Sequence, residues 1–252
     1  MFPTLLTKEL REQWRTWKLI VFLAVFLITG MISPVLAKYT PELLGSIPNL
    51  PPGMASLIPT PTVADAIGQY VKNTDQFGIL LVILLTMGVM AQEKERGTAA
   101  MLLTKPVGRS AMVLAKWLAG MGVLLAGLIV DALGCYAYTL VLFEALPLGS
   151  FLLLNLLIFV YLGVFLSLTV LASTLARTQT VAAAGAFGAL IVLLVLGSLP
   201  RLDVYMPGQL VTWGAGLVLK GTATAWPALG VSLGLLTVSV AAACFSLERQ
   251  EI

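Results

Sequence analysis

Six stretches of this chain are apolar for about as long as a bilayer core is thick, which takes roughly 20 helical residues. They lie at residues 19–37, 77–92, 117–143, 151–176, 181–199 and 226–247. Nothing else in the sequence constrains the fold as strongly. In hydrocarbon every backbone N–H and C=O must be satisfied inside the segment, so stretches of this kind fold as helices. Composition agrees. The chain is 59% hydrophobic and 11% charged, whereas a soluble domain is about 25% charged. The expected fold is an all-α membrane protein with six transmembrane helices.

Charge position orients the chain. Of the 15 Lys and Arg residues, eleven fall on one side: Lys8, Arg11, Arg15, Lys18, Lys94, Arg96, Lys105, Arg109, Lys116, Arg177 and Arg249. Lys38, Lys72, Arg201 and Lys220 fall on the other. By the positive-inside rule both termini are cytoplasmic, in a multi-pass protein of the cytoplasmic (inner) membrane. Residues 1–37 read as an anchor, because the basic region and the apolar run are both too long for a typical cleaved signal.

The residues between the spans give the rest of the outline. Residues 1–18 carry Leu6, Leu10, Trp14 and Trp17 at helical spacing, with charge over most of the remaining surface. This pattern predicts an amphipathic helix on the membrane surface, with lipid as its partner. Residues 38–76 form an outer loop. Its six prolines argue against long regular structure before Thr62, although 62–72 suits one short helix. Ser150 is placed as the cap of the fourth span. Residues 200–225 are apolar but too short to cross, and are expected as an outer re-entrant hairpin. With flanking helical residues the spans become 19–37, 77–96, 110–143, 151–176, 178–199 and 226–247. Small-residue pairs at Gly230/Gly234 and Ala184/Gly188 are weak packing signals.

One dense island of charge interrupts the apolar text: "EKERGTAAMLLTKPVGR", residues 93–109. Thr98 is a suitable N-cap, with Glu93 and Glu95 just before it. "AAMLLT" then favours helix, and Pro106 stops it at Lys105. Ser110 is placed to cap the next helix. The product is a cytoplasmic helix about 10 Å long that exposes Met101, Leu102 and Leu103. A helix this short is unstable alone in water, so something must cover its apolar face. Either it folds back on the membrane surface or it docks into a soluble partner.

These residues resemble the signature region of ABC-2-type ABC transporter permeases. In that family an E-x-E-x-G-T segment ends the second span. A few apolar residues follow, then a Pro-[apolar]-x-Arg turn, then a Lys opening the third span. Glu93, Glu95, Gly97, Thr98, Leu102, Pro106, Arg109 and Lys116 match. "SLTVLASTLARTQTVAAAG" is similar to the family's passage between the fourth and fifth spans through Ser173, Arg177 and Gln179. The resemblance implies a permease subunit of an exporter. Residues 97–109 would act as its coupling-helix loop, with the helix itself at Thr98–Lys105, residues 1–18 as its elbow helix, and 200–225 as its re-entrant element. It also implies an ABC ATPase subunit dimer and a second permease copy or paralogue as partners.

The chain itself excludes several classes. No phosphate-cradling G-x-x-x-x-G-K-[ST] loop is present, so ATP and Mg are expected on the partner ATPase and no cofactor on this chain. Histidine is absent. That removes His-based catalysis and His metal sites, and no catalytic or metal site is assigned. No basic stripe interleaved with aromatics points to nucleic acid. The two cysteines, Cys135 and Cys244, are placed at different depths and unpaired. Asp131 falls in the middle of the third span, where a charge costs roughly 2.5–3.5 kcal/mol. Three readings stay open for it: a satisfied bundle residue, part of a substrate path with Asn155 and Thr86, or a proton relay. The rival functions are an ion-coupled secondary transporter using Asp131, a membrane-embedded enzyme, and a structural scaffold.

Overall fold

The computed structural model describes residues 2–45, 60–97 and 108–250. The regular structure of the described residues is all helix, with six helices long and apolar enough to cross a membrane. The elements are α1 (Phe2–Arg15), α2 (Lys18–Gly45), α3 (Val63–Thr86), α4 (Ala91–Glu95), α5 (Arg109–Leu142), α6 (Leu148–Leu175), α7 (Gln179–Gly197), α8 (Gly208–Val218) and α9 (Trp226–Arg249). A short 3₁₀ turn, Asp203–Tyr205, precedes α8. α6 is the central helix and packs against α3, α5, α7, α8 and α9.

The closest pairing is α2 on α5, and glycines make it so. A Cβ on Gly30 would stand 2.1 Å from the Asp131 carbonyl oxygen. One on Gly127 would meet the Phe22 ring at 2.6 Å, and one on Gly134 would meet Met31 Cγ at 3.1 Å. Without water to drive helices together, van der Waals contact of this kind is what holds them. Gly188, Gly230 and Gly234, picked out from the sequence as small-residue pairs, have nothing within 4 Å of a built Cβ.

The expected outer loop at 38–76 is largely replaced by helix. α2 continues to Gly45 with Pro34 and Pro41 inside it, and α3 begins at Val63. Each proline removes one ladder bond, but in a packed span neighbouring groups can take over the freed ones. Thr40 Oγ1 donates to Leu36 O at 2.5 Å, and Lys38 Nζ donates to the last-turn carbonyl of Leu142 at 3.0 Å. α3 starts where the prolines stop. Asp65 Oδ2 accepts from the Thr62 N–H at 2.8 Å and from its hydroxyl at 2.7 Å, a carboxylate at the positive end of the helix. The fourteen residues of the loop that lie outside the described residues include Pro48, Pro51, Pro52 and Pro59.

Three smaller corrections follow from local geometry. The second span is not one helix over 77–96. It breaks at Met87–Met90 before α4 resumes. Ser110 and Ser150 sit inside the first turns of α5 and α6, and the N-cap positions belong to Gly108 and Pro147. Trp17 leaves the surface helix, which ends at Arg15, and takes a left-handed φ of 60° in the bend into α2. Leu10, Trp14 and Trp17 point away from the bundle, the two tryptophans 66% and 70% exposed. That leaves an apolar face free for lipid.

The apolar segment 200–225 forms the 3₁₀ turn and the 11-residue α8. Gly214 lets α8 sit on α6, since its Cβ would meet Leu154 Cδ1 at 2.7 Å. The rings of Trp213 and Trp226 meet at a tilt of 59°, with centroids 5.2 Å apart, where the chain enters α9. Cys135 and Cys244 are free thiols.

Candidate functional site

The charged end of the bundle gathers α1, α4, the start of α5, the α6–α7 junction and the end of α9. α4 lies at its centre. Three successive side chains of α4 reach three different parts of the bundle. Glu93 Oε1 pairs with Lys116 Nζ at 2.8 Å, and the same ammonium pairs with Glu9 Oε2 of α1 at 3.0 Å. Lys94 donates to the Thr174 carbonyl at the end of α6 and to Gln250 Oε1 at 2.6 Å just past α9. Glu95 Oε2 accepts from the Gln179 N–H at 3.2 Å, the first residue of α7. Helix ends carry backbone groups with no partner of their own, so charged side chains are strong ligands for them.

Arg109 works in the same way. Its Nη1 donates to the carbonyls of Leu247, Glu248 and Gln250 at 3.3, 3.1 and 2.7 Å. Two of these are last-turn carbonyls of α9 and the third belongs to its C-cap residue, and a guanidinium satisfies them and complements the negative dipole end. Gly97 has φ +70°, the left-handed residue that ends α4 just after its last turn. A side chain there is strained, which gives this glycine of the island a physical role. Thr98, Met101, Leu102, Leu103 and Pro106, expected as the coupling helix and its stop, lie outside the described residues.

The break between α3 and α4 is held by one hydroxyl. Ser173 Oγ accepts from the N–H groups of Met90 and Ala91, both at 3.0 Å. It donates to the Met87 carbonyl at 2.8 Å. All of this is buried, with Met90, Ala91 and Ser173 shielded from solvent. The serine thus supplies the backbone groups that the interrupted ladder cannot.

A second polar cluster lies nearer the opposite end, on one and a half turns of α3. Tyr70 donates to Asn155 Oδ1 at 2.6 Å. Asn73 donates to Ser33 Oγ at 2.9 Å, and Thr74 donates to Asp131 Oδ2 at 2.9 Å. Asp75 Oδ1 accepts from Tyr161 at 2.6 Å. Consecutive residues 73, 74 and 75 therefore bind α2, α5 and α6 in turn. Asp131 is fully buried, and its Oδ1 accepts no hydrogen bond among the described residues. Thr86 is remote from this cluster and donates to Val82 O within its own helix, at 2.7 Å.

Lys72 and Gln76 leave this cluster on the outside, with Asp75 half-buried between them. With Phe187, Leu190 and Leu194 of α7 they line an open groove of about 450 Å³. Only Ala182 and Ala186 of α7 are buried. Polar groups facing hydrocarbon are costly, so this face of α3 needs a wet or protein neighbour.

Several of these residues were hidden in the sequence. Tyr70, Lys72, Asn73, Thr74, Asp75 and Gln76 fell in the expected outer loop. The Thr62/Asp65 pair was the available signal for a helix start at 63. Lys116 and Ser173 carried the resemblance but had no physical role until their partners were in place. Glu9 looked like one more charge on a surface helix.

The family model for ABC-2 family transporter proteins matches residues 4–252. The chain is also similar to an uncharacterized transmembrane protein, YxlG, of Bacillus subtilis (strain 168), with 32% identity over 114 residues. That alignment spans 45% of this chain and 44% of the relative's length. With six apolar spans and the E-x-E-x-G segment wired into the charged end of the bundle, this chain belongs to the ABC-2 family of transporter proteins.

Proposed function

We propose that the chain is the permease subunit of an ATP-driven exporter of the cytoplasmic membrane, powered by a separate ABC ATPase dimer that holds the ATP and Mg. The observation that carries this reading is α4. Its Glu93, Lys94 and Glu95 tie one five-residue helix to α5, α6 and α7 and to Gln250 just past α9, immediately before the island's apolar segment. A push on that segment is passed to the whole charged end at once. The charged end faces the cytosol, where Lys and Arg concentrate. Both termini lie there, and α8 with its preceding turn dips into the outer leaflet.

A second permease copy or paralogue completes the path. The polar strip of exposed Lys72 and Gln76 with half-buried Asp75, and the open flank of α7, support placing that path between the two copies. Asp131 and Asn155 form the polar backing behind the strip. Thr86 lies on the same helix toward the cytosol.

The test is association. The permease should co-purify with a Walker-motif ATPase, and Leu102→Asp or Leu103→Asp should abolish that co-purification while the permease still inserts. Intact assembly with full coupled ATPase activity in both variants would sink the docking of this segment.

One observation favours a second reading, an ion-coupled transporter: Asp131 is buried with an oxygen left unpaired. Asp131→Asn keeps an acceptor for Thr74 and is expected to lower transport more than it lowers expression. Wild-type transport would make the residue a packing element of the bundle. Transport abolished in a protein that binds no ATPase would favour ion coupling.

A further inference from the structure

α1 is held to the bundle by an unusual peg. Among its described residues only Glu9 is buried. Its large apolar side chains Phe2, Leu10 and Trp14 are exposed. Leu5 and Leu6 are half-buried, and among the described residues the one fully buried side chain that α1 brings to its contact with α5 is a carboxylate. That carboxylate reaches Lys116, whose side chain is 4% exposed among the buried Val113, Ala115 and Ala119.

A buried ammonium is tolerated only when paired and hydrogen-bonded. Lys116 has two carboxylates, Glu9 from α1 and Glu93 from α4, at 3.0 and 2.8 Å. Lys8 Nζ adds a second cation at the edge, 3.5 Å from Glu9 Oε1. The result is an alternating row, Lys8, Glu9, Lys116, Glu93, running from the surface helix to α4. Each carboxylate is stabilised by an ammonium that the other also needs. Moving α1 without α4 would take one of its two carboxylates from the buried Lys116, so the row favours the two helices staying together.

We propose that Lys116 is a positioning residue that locks the N-terminal surface helix to α4, so that the two move as one body. In this arrangement the surface helix is a lever: motion delivered to residues 93–109 repositions Trp14 and Trp17 at the membrane surface. The proposal rests on the reading that residues 93–109 receive work from an ATPase.

Two measurements separate the lock from that reading. The first needs only the permease in lipid nanodiscs and reads amide hydrogen exchange. Glu9→Gln and Lys116→Met should each speed exchange in residues 5–13 by about tenfold, with α6 and α9 unchanged. The double variant should add little to Lys116→Met, because both remove the same pair. Unchanged exchange in α1 would mean that lipid alone holds the helix, and would overturn the lock. Faster exchange in every helix would reduce Lys116 to general stability and overturn it equally.

The second measurement uses the assembled transporter. Glu9→Gln should lower transport per ATP hydrolysed by several-fold while the ATPase rate persists. A released α1 with unchanged transport per ATP would show a peg without a lever. Failure to find any ATPase partner would defeat the function reading and leave the exchange result standing.

Discussion

Gly30→Ala is expected to destabilise the protein by at least about 3 kcal/mol, the upper part of the range for overpacking a tight interface. The added Cβ would lie 2.1 Å from the Asp131 carbonyl oxygen, 2.9 Å from its carbonyl carbon and 3.0 Å from its Cα. All three atoms are backbone, so no side chain can swing aside. α2 and α5 must move apart, and that loosens the Gly127–Phe22 and Gly134–Met31 contacts on the same seam. The polar cluster suffers too, because Asp131 presents its backbone to α2 and its side chain to Thr74. Gly122→Ala on α5 is the control. Nothing lies within 4 Å of its Cβ, so it should be neutral or slightly stabilising through helix propensity. The thermal midpoint and monodisperse yield in detergent report the difference. A Gly30→Ala protein with a wild-type midpoint would refute the α2–α5 packing described.

The second large effect belongs to Ser173→Ala. The substitution leaves the N–H groups of Met90 and Ala91 without their acceptor and the Met87 carbonyl without its donor. A buried group left unsatisfied costs about 1–3 kcal/mol, so a loss of about 3 kcal/mol or more is expected at this one site. Met90 and Ala91 are 1% and 0% exposed, so water cannot readily replace the hydroxyl. The damage should be local: amides 87–91 exchange faster while α5 keeps its protection. Ser173→Cys should fall between, since sulfur is a weak acceptor. Wild-type exchange at 87–91 in Ser173→Ala would show that another group holds the break.

The difference between the readable and the unreadable lies in partners. The second span shows it. Hydropathy placed its start at Phe77 because Asn73, Thr74 and Asp75 look like loop residues and Tyr70 falls in a separate short helix. In the bundle each has a partner on another helix, and a paired polar residue belongs inside a span. The prolines misled in the same direction, since Pro34 and Pro41 lie within α2, where packing accommodates them. The charged island shows the reverse. Its Gly97 and Arg109 stood out in the sequence, and local geometry alone explains the glycine. Arg109 needed the end of α9, which is 138 residues away in the chain.

By itself the sequence determined what depends on composition and on neighbours in the chain. That covers six helical spans, the asymmetry of Lys and Arg, an amphipathic N-terminal helix, and a charged island with a short apolar segment. These follow from hydration and helical periodicity, which act over a few turns. Only the tertiary structure decided which glycines bring helices together, where the second span breaks, and that Glu9 turns inward to share Lys116 with Glu93. Those depend on which distant groups meet. A buried charge or an interrupted ladder is stable only when its partner arrives from another helix, and no local pattern encodes that meeting.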